Sequence, residues 1–126
     1  MNDELISIAD RLYRFSLRML KLCRVLLGSY EKETLGKQLF RSATSIVVQY
    51  RAAQHAFTSE NFLYQMKVCE EEADETAFWL DMLMESNMVK HSRLAALVHE
   101  AHRIAAIIAA SCITLSKRKS QITRPS

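Results

Sequence analysis

Two glycines, Gly28 and Gly36, and one proline, Pro125, are all the helix breakers in 126 residues. A chain so poor in breakers, with 49% hydrophobic residues, reads as all-helical. Cysteine is also sparse. Cys23, Cys69 and Cys112 are odd in number, far apart and without a CxxC pair. That reads as buried, reduced thiols in a cytoplasmic protein. The start, Met1-Asn2-Asp3-Glu4, is acidic and lacks the basic opening and apolar run of a signal peptide. The longest uncharged apolar-rich run, Ile104 to Leu115, is too short to cross a bilayer, so no membrane is expected as a partner. There is no GxSxG and no phosphate-binding glycine loop, and Gly36-Lys37 lacks the upstream glycine of a P-loop.

What is present is helical periodicity. The length suits one domain, expected to be a bundle over residues 1–117 with a basic, disordered tail over 118–126. A core this small gains from oligomerisation. Helix 1 is expected from Asp3 to Leu27, with Leu5, Ile8, Leu12, Phe15, Met19, Leu22 and Leu26 in one apolar stripe. Helix 2 starts between Glu31 and Gly36 and ends near His55, with Leu35, Leu39, Ala43, Ile46, Tyr50 and Ala53 inward. Phe40, Val47 and Val48 widen its apolar surface, a first sign of subunit contacts. Helix 3 starts at Thr58 or Ser59 and carries Phe62, Met66, Cys69, Ala73, Thr76, Leu80 and Leu83 in steps of four and three. Asn87 is placed to close it. Helix 4 runs from Lys90–Ser92 to about Lys117, and its many alanines allow close helix approach. Short connections make neighbours antiparallel, so the expected fold is an up-down-up-down four-helix bundle.

Charge is unevenly shared. The net charge is only +3, yet residues 58–86 hold eight acidic side chains against one basic. The other three helices are mildly basic. Arg11, Arg14, Arg18 and Lys21 follow helical spacing on one face of helix 1, and Lys117, Arg118 and Lys119 cluster at the far end of the chain. Two meanings compete for this stripe: a solvated face partly paired with helix 3 acids, or a surface that contacts nucleic-acid phosphates. No aromatic RNA-binding motif is present, so binding would follow shape and charge rather than base sequence.

Other constellations carry less. Glu70, Glu71, Glu72, Asp74 and Glu75 form nearly one run, but no glutamate has a histidine three residues later, as a di-metal bundle requires. They read as a solvated face pairing with Arg41, Arg51 or the helix 1 arginines. His99 and His102 share a spacing of three without further ligands. No cofactor, metal or enzymatic activity is expected.

Three segments carry a resemblance: Gln38-Leu-x-Arg41-Ser-Ala-x-Ser45-Ile46, Tyr50-Arg51-Ala-Ala-Gln54, and Glu71-Glu-Ala-Asp74-Glu75 with Trp79-Leu80. From Leu12 to about Lys117 the chain resembles the four-helix bundle family that includes the 23S ribosomal RNA intervening-sequence proteins. A related branch comprises accessory variability proteins of diversity-generating retroelements, which associate with a reverse transcriptase and nucleic acid. The resemblance implies a homopentameric ring of bundles, no enzymatic activity, and partners among RNA, DNA, a reverse transcriptase or another protein. Arg41, Ser45, Glu71, Asp74, Glu75 and Trp79 match the family pattern and are expected to form a structural polar network between helices 2 and 3. The chain departs from the pattern at Val47, Val48 and Gln49, and at His102-Arg103. The functional expectation is a non-enzymatic, homo-oligomeric accessory factor associated with nucleic acid. The alternative is a protein-interaction scaffold with no direct contact to nucleic acid.

Overall fold

Three serine and threonine caps set where the helices begin. Ser7 Oγ accepts the amide of Asp10 at 3.1 Å, Ser29 Oγ that of Lys32 at 3.1 Å, and Thr58 Oγ1 that of Asn61 at 3.0 Å. Each satisfies an amide with no partner inside its helix, a contribution of about 1 kcal/mol. A computed structural model describes residues 7–123, and the side chains of residues 7–118. Its helices are α1 Ile8–Arg24, α2 Tyr30–Gln54, α3 Ser59–Glu85 and α4 His91–Thr123. No strand occurs among the described residues.

The connections take little chain. Gly28 adopts φ 99° between α1 and α2, and Asn87 adopts φ 59° between α3 and α4. Both are left-handed conformations, which glycine and asparagine tolerate best. Sequential helices are antiparallel. Ser16 lies against Ala43, Ser42 against Thr76 and Ile46 against Cys69. Asp81 lies against His102, and Arg11 against Glu100. Each helix packs on the next, and α4 returns to α1 along a thinner seam. The molecule is an up-down-up-down bundle.

The apolar stripes meet in the centre. Leu12, Phe15, Met19, Leu39, Ile46, Leu80, Leu83, Leu94, Ile104 and Ile108 are all but fully buried. Burying a side chain of this size contributes about 1.5–3 kcal/mol before entropy is counted. Leu26, just past the end of α1, is buried too, beside Gly36. A Cβ at Gly36 would sit 3.3 Å from Leu26 Cβ, so the glycine lets this corner close.

Several expected boundaries and packings shift. α1 begins at Ile8 rather than Asp3 among the described residues, because Ser7 caps it; Leu5 lies outside them. It stops at Arg24 rather than Leu27. α2 begins at Tyr30, one residue ahead of the expected window, because Ser29 caps it. α4 runs on to Thr123 instead of ending near Lys117. No glycine or proline interrupts the chain between His91 and Thr123. Tail residues 124–126 lie outside the described ones. The alanines of α4 do little of the close packing: Ala101 is buried, whereas Ala95, Ala96, Ala106 and Ala110 face outward. Leu94, Leu97, Ile104, Ile108 and Cys112 supply its core face. Residues His91–Arg118 of α4 also prove long and apolar enough to cross a membrane, by length and composition alone. In the bundle, the face just named packs inward.

Candidate nucleic-acid interface

The basic stripe of α1 lies beside α4, and its members differ in company. Arg11 is engaged: its Nε donates to Glu100 Oε1 at 2.6 Å, with Nη2 3.4 Å from Oε2. Arg14, Arg18 and Lys21 are exposed, and among the described residues no carboxylate pairs with them. Seven residues up α1 and seven down α4 from the Arg11–Glu100 pair lie Arg18 and Arg93. Arg93 is exposed and likewise unpaired among the described residues. Arg18, Lys21 and Arg93 line one cleft of about 260 Å³, floored by Leu22, Val25 and Leu97.

Arg93 and Glu100 were absent from the candidates drawn from sequence. The signal was available in the antiparallel register of α1 against α4, which places each opposite a stripe residue. Charge counting within one helix misses groups contributed by its neighbour. Arg11 pairs with Glu100 of α4, and Arg14 and Arg18 meet no helix 3 acid among the described residues.

Lys117 and Arg118 do not join this surface. They lie 24 and 25 residues along α4 from Arg93, roughly 36 Å at 1.5 Å per residue. Both are exposed, and Arg118 stands at the rim of a second cleft of about 530 Å³ at the opposite end. Ile8, Tyr50, Phe62 and Met66 are among its lining residues. The Lys119 side chain lies outside the described ones.

The polar network between α2 and α3 forms around Arg41. Its Nη2 donates to Glu75 Oε2 at 2.5 Å, and its Nη1 to Glu72 Oε2 at 3.3 Å. Trp79 Nε1 donates to the other Glu75 oxygen at 3.1 Å. The Arg41 guanidinium, with help from the indole, holds the Glu75 carboxyl below the usual carboxylate range. Of the expected members, Arg41, Glu75 and Trp79 are in it, and Glu72, not expected, completes it. Ser45 donates to the Arg41 carbonyl one turn back, at 2.7 Å. Glu71 and Asp74 face solvent. They lie one and two residues from Glu72, which on a helix turns them off the α2-facing side.

No group of three or more metal-ligating side chains occurs among the described residues. His102 Nε2 lies 2.9 Å from Asp81 Oδ1, an exposed pair between α4 and α3. Burial pushes the thiols up, Cys23 and Cys112 to about 11 and Cys69 to about 12. At neutral pH they stay protonated and poorly nucleophilic.

A different surface is apolar. Tyr13, Leu17, Phe40 and Val48 are each more than 40% exposed. Ser16 Oγ donates to the Ala43 carbonyl at 3.3 Å, fixing the α1–α2 seam. Tyr13 and Leu20 lie three before and four after Ser16, and Phe40 and Val47 stand likewise about Ala43, so all four share the flanks of that seam.

An up-down-up-down four-helix bundle with exposed cations along its α1–α4 seam defines the class. Within it, the family model for the 23S rRNA-intervening sequence protein matches residues 5–110. The chain belongs to that family. Among solved structures, it is similar to a protein of unknown function from the S23 ribosomal protein family of Bacteroides thetaiotaomicron. The two share 23% identity over 84% of this chain and 98% of that one, with a TM-score of 0.78. That likeness speaks for the fold. A comparison with functionally curated proteins gives no match.

Proposed function

We propose that this protein is a non-enzymatic, homo-oligomeric accessory factor that holds nucleic acid by its phosphates and acts in the cytoplasm. One observation carries the reading: Arg14, Arg18, Lys21 and Arg93 stand along one seam with no carboxylate partner among the described residues, while Arg11 and Arg41 have one. Clustered cations without counter-ions raise the local potential and attract a polyanion. Each neutralised phosphate releases bound counter-ions and adds affinity. The family's name, which refers to sequences intervening in 23S rRNA, agrees with an RNA partner.

Assembly multiplies the surface. The exposed Tyr13, Leu17, Phe40 and Val48 supply apolar area for subunit contact, and the pentameric ring implied by the family resemblance is the assembly we favour. In such a ring each interface joins two different faces. Five basic seams would then act on one RNA.

Charge reversal at Arg14, Arg18 and Lys21 together tests the reading. The variant is expected to bind structured RNA far more weakly while its helical circular dichroism and melting temperature hold. Unchanged affinity in the folded variant removes the seam as the site.

One observation favours a second reading, a scaffold for another protein such as a reverse transcriptase. Tyr64, Phe78 and Met82 are exposed on α3 among its acids. A stoichiometric protein partner that survives nuclease treatment, with no RNA binding, would support it.

A further inference from the structure

The cleft between α1 and α4 is more specific than a charged ridge. Arg18 and Lys21 reach it from the last turns of α1, and Arg93 from the first turn of α4. No carboxylate lines it, and none of the three cations has an ion-pair partner among the described residues. Their mutual repulsion is therefore uncompensated in the free protein. The floor is apolar: Leu22 and Leu97 are buried, and Val25 is 47% exposed. At about 260 Å³, the cleft falls below the roughly 300–1,000 Å³ of clefts that enclose a whole drug-sized ligand. It is sized for one end of a larger molecule.

We propose that this cleft captures the terminal phosphate of a nucleic-acid strand, with the end nucleotide's base lying on Val25 and Leu97. The inference rests on the nucleic-acid reading above and names which part of the strand this end of the seam takes. Charge matching favours a strand end. An internal phosphate carries one negative charge, whereas a terminal monoester carries about −1.5 to −2 at pH 7. Two guanidinium groups offer paired donors in the geometry that phosphate oxygens accept, and the lysine adds a point charge. Position favours it as well. The cleft lies at the end of the bundle where α1 stops and α4 starts. A strand can finish there, and its preceding phosphates can run along the seam past Arg14. The aliphatic floor offers a base face van der Waals contact, which does not depend on the base's identity.

The test is fluorescence anisotropy with one short single-stranded RNA, labelled internally and prepared with 5′-phosphate, 3′-phosphate or hydroxyl ends. Proteins compared are the wild type, Arg93→Ala, and Arg103→Ala as a control from the outer face of α4. A phosphate at one end is expected to tighten wild-type binding about tenfold, or 1.4 kcal/mol. Arg93→Ala should lose that preference, binding phosphate-ended and hydroxyl-ended RNA equally, and Arg103→Ala should keep it. Both exposed substitutions should leave the melting temperature in place. Equal affinity for all three RNAs overturns strand-end capture; if the Arg14, Arg18 and Lys21 reversal still greatly weakens that binding, the broader reading stands. Adenosine monophosphate competing as well as the phosphorylated RNA also overturns it, in favour of a free nucleotide. No binding of any RNA overturns both readings.

Discussion

Thr76 Oγ1 and Ser42 Oγ lie 2.9 Å apart at the centre of the α2–α3 interface, and neither residue has any exposed surface. The remaining proton of this pair has a carbonyl within reach, that of Glu72 at 2.8 Å or of Leu39 at 3.3 Å. A buried hydroxyl pair is tolerated because both members are satisfied. Thr76→Val and Ser42→Ala should each destabilise the fold by about 1 kcal/mol, and the double variant by less than their sum. Urea unfolding of the four proteins checks this. Strict additivity would show that the two hydroxyls act independently.

The Arg41 network looks stronger than it is. The Arg41 side chain is 48% exposed and that of Glu75 34%. Solvent screens such pairs, so Arg41→Ala should cost no more than about 1 kcal/mol, whereas Leu39→Ala in the core should cost about 2–5 kcal/mol. The acid response has a definite sign. Glu75 titrates below its ordinary 4.5 in the folded protein. Its contribution is therefore complete above that value and is lost as pH falls through the lower, folded one. The stability advantage of wild type over Glu75→Gln should be steady at pH 6 and shrink on acidification below 4.5. Denaturant titrations at stepped pH read this directly; an advantage that grows toward acid would contradict it.

All three cysteines are free thiols, and burial raises each well above neutral pH. A disulfide-exchange reagent should label the native protein slowly and all three positions rapidly in urea. Cys23, only half buried, should be the first to react. Fast native labelling of Cys69 would show that the α2–α3–α4 core opens.

Gly28 adopts φ 99°, and a Cβ there meets nothing within 4 Å. Gly28→Ala therefore costs backbone strain alone, about 1–2 kcal/mol, with no change in assembly or RNA affinity. Thermal melting and size-exclusion chromatography separate the two effects.

Most of the architecture was legible in the sequence because apolar spacing and caps are local signals. The run Leu12, Phe15, Met19, Leu22 announces one buried stripe, and Thr58 announces the start of α3. The ends were less legible. Ser7 caps α1 although the periodicity begins earlier, and α4 outlasts Lys117 because charged residues continue a helix as well as apolar ones do. The candidate site was half legible. Arg14, Arg18 and Lys21 share a face by spacing, but whether a cation is paired depends on the next helix. Glu100 removes Arg11 from the free set, Arg93 adds to it, and Lys117 and Arg118 fall at the far end.

The apolar flank predicts a separable assembly defect. Leu17→Glu with Phe40→Glu should lower the mass seen by light scattering to that of smaller species and leave helical content unchanged. An unchanged mass would place the subunit contacts elsewhere.

The most direct measurement is the salt dependence of structured-RNA binding by wild type and by the Arg14→Glu, Arg18→Glu, Lys21→Glu variant. Log affinity of the wild type should fall linearly with log salt. The variant, having lost three phosphate-facing cations, should bind far more weakly, with a slope shallower by about 2–3. A folded variant with the wild-type slope and affinity would contradict a phosphate-binding seam and turn attention to the aromatic, acidic face of α3.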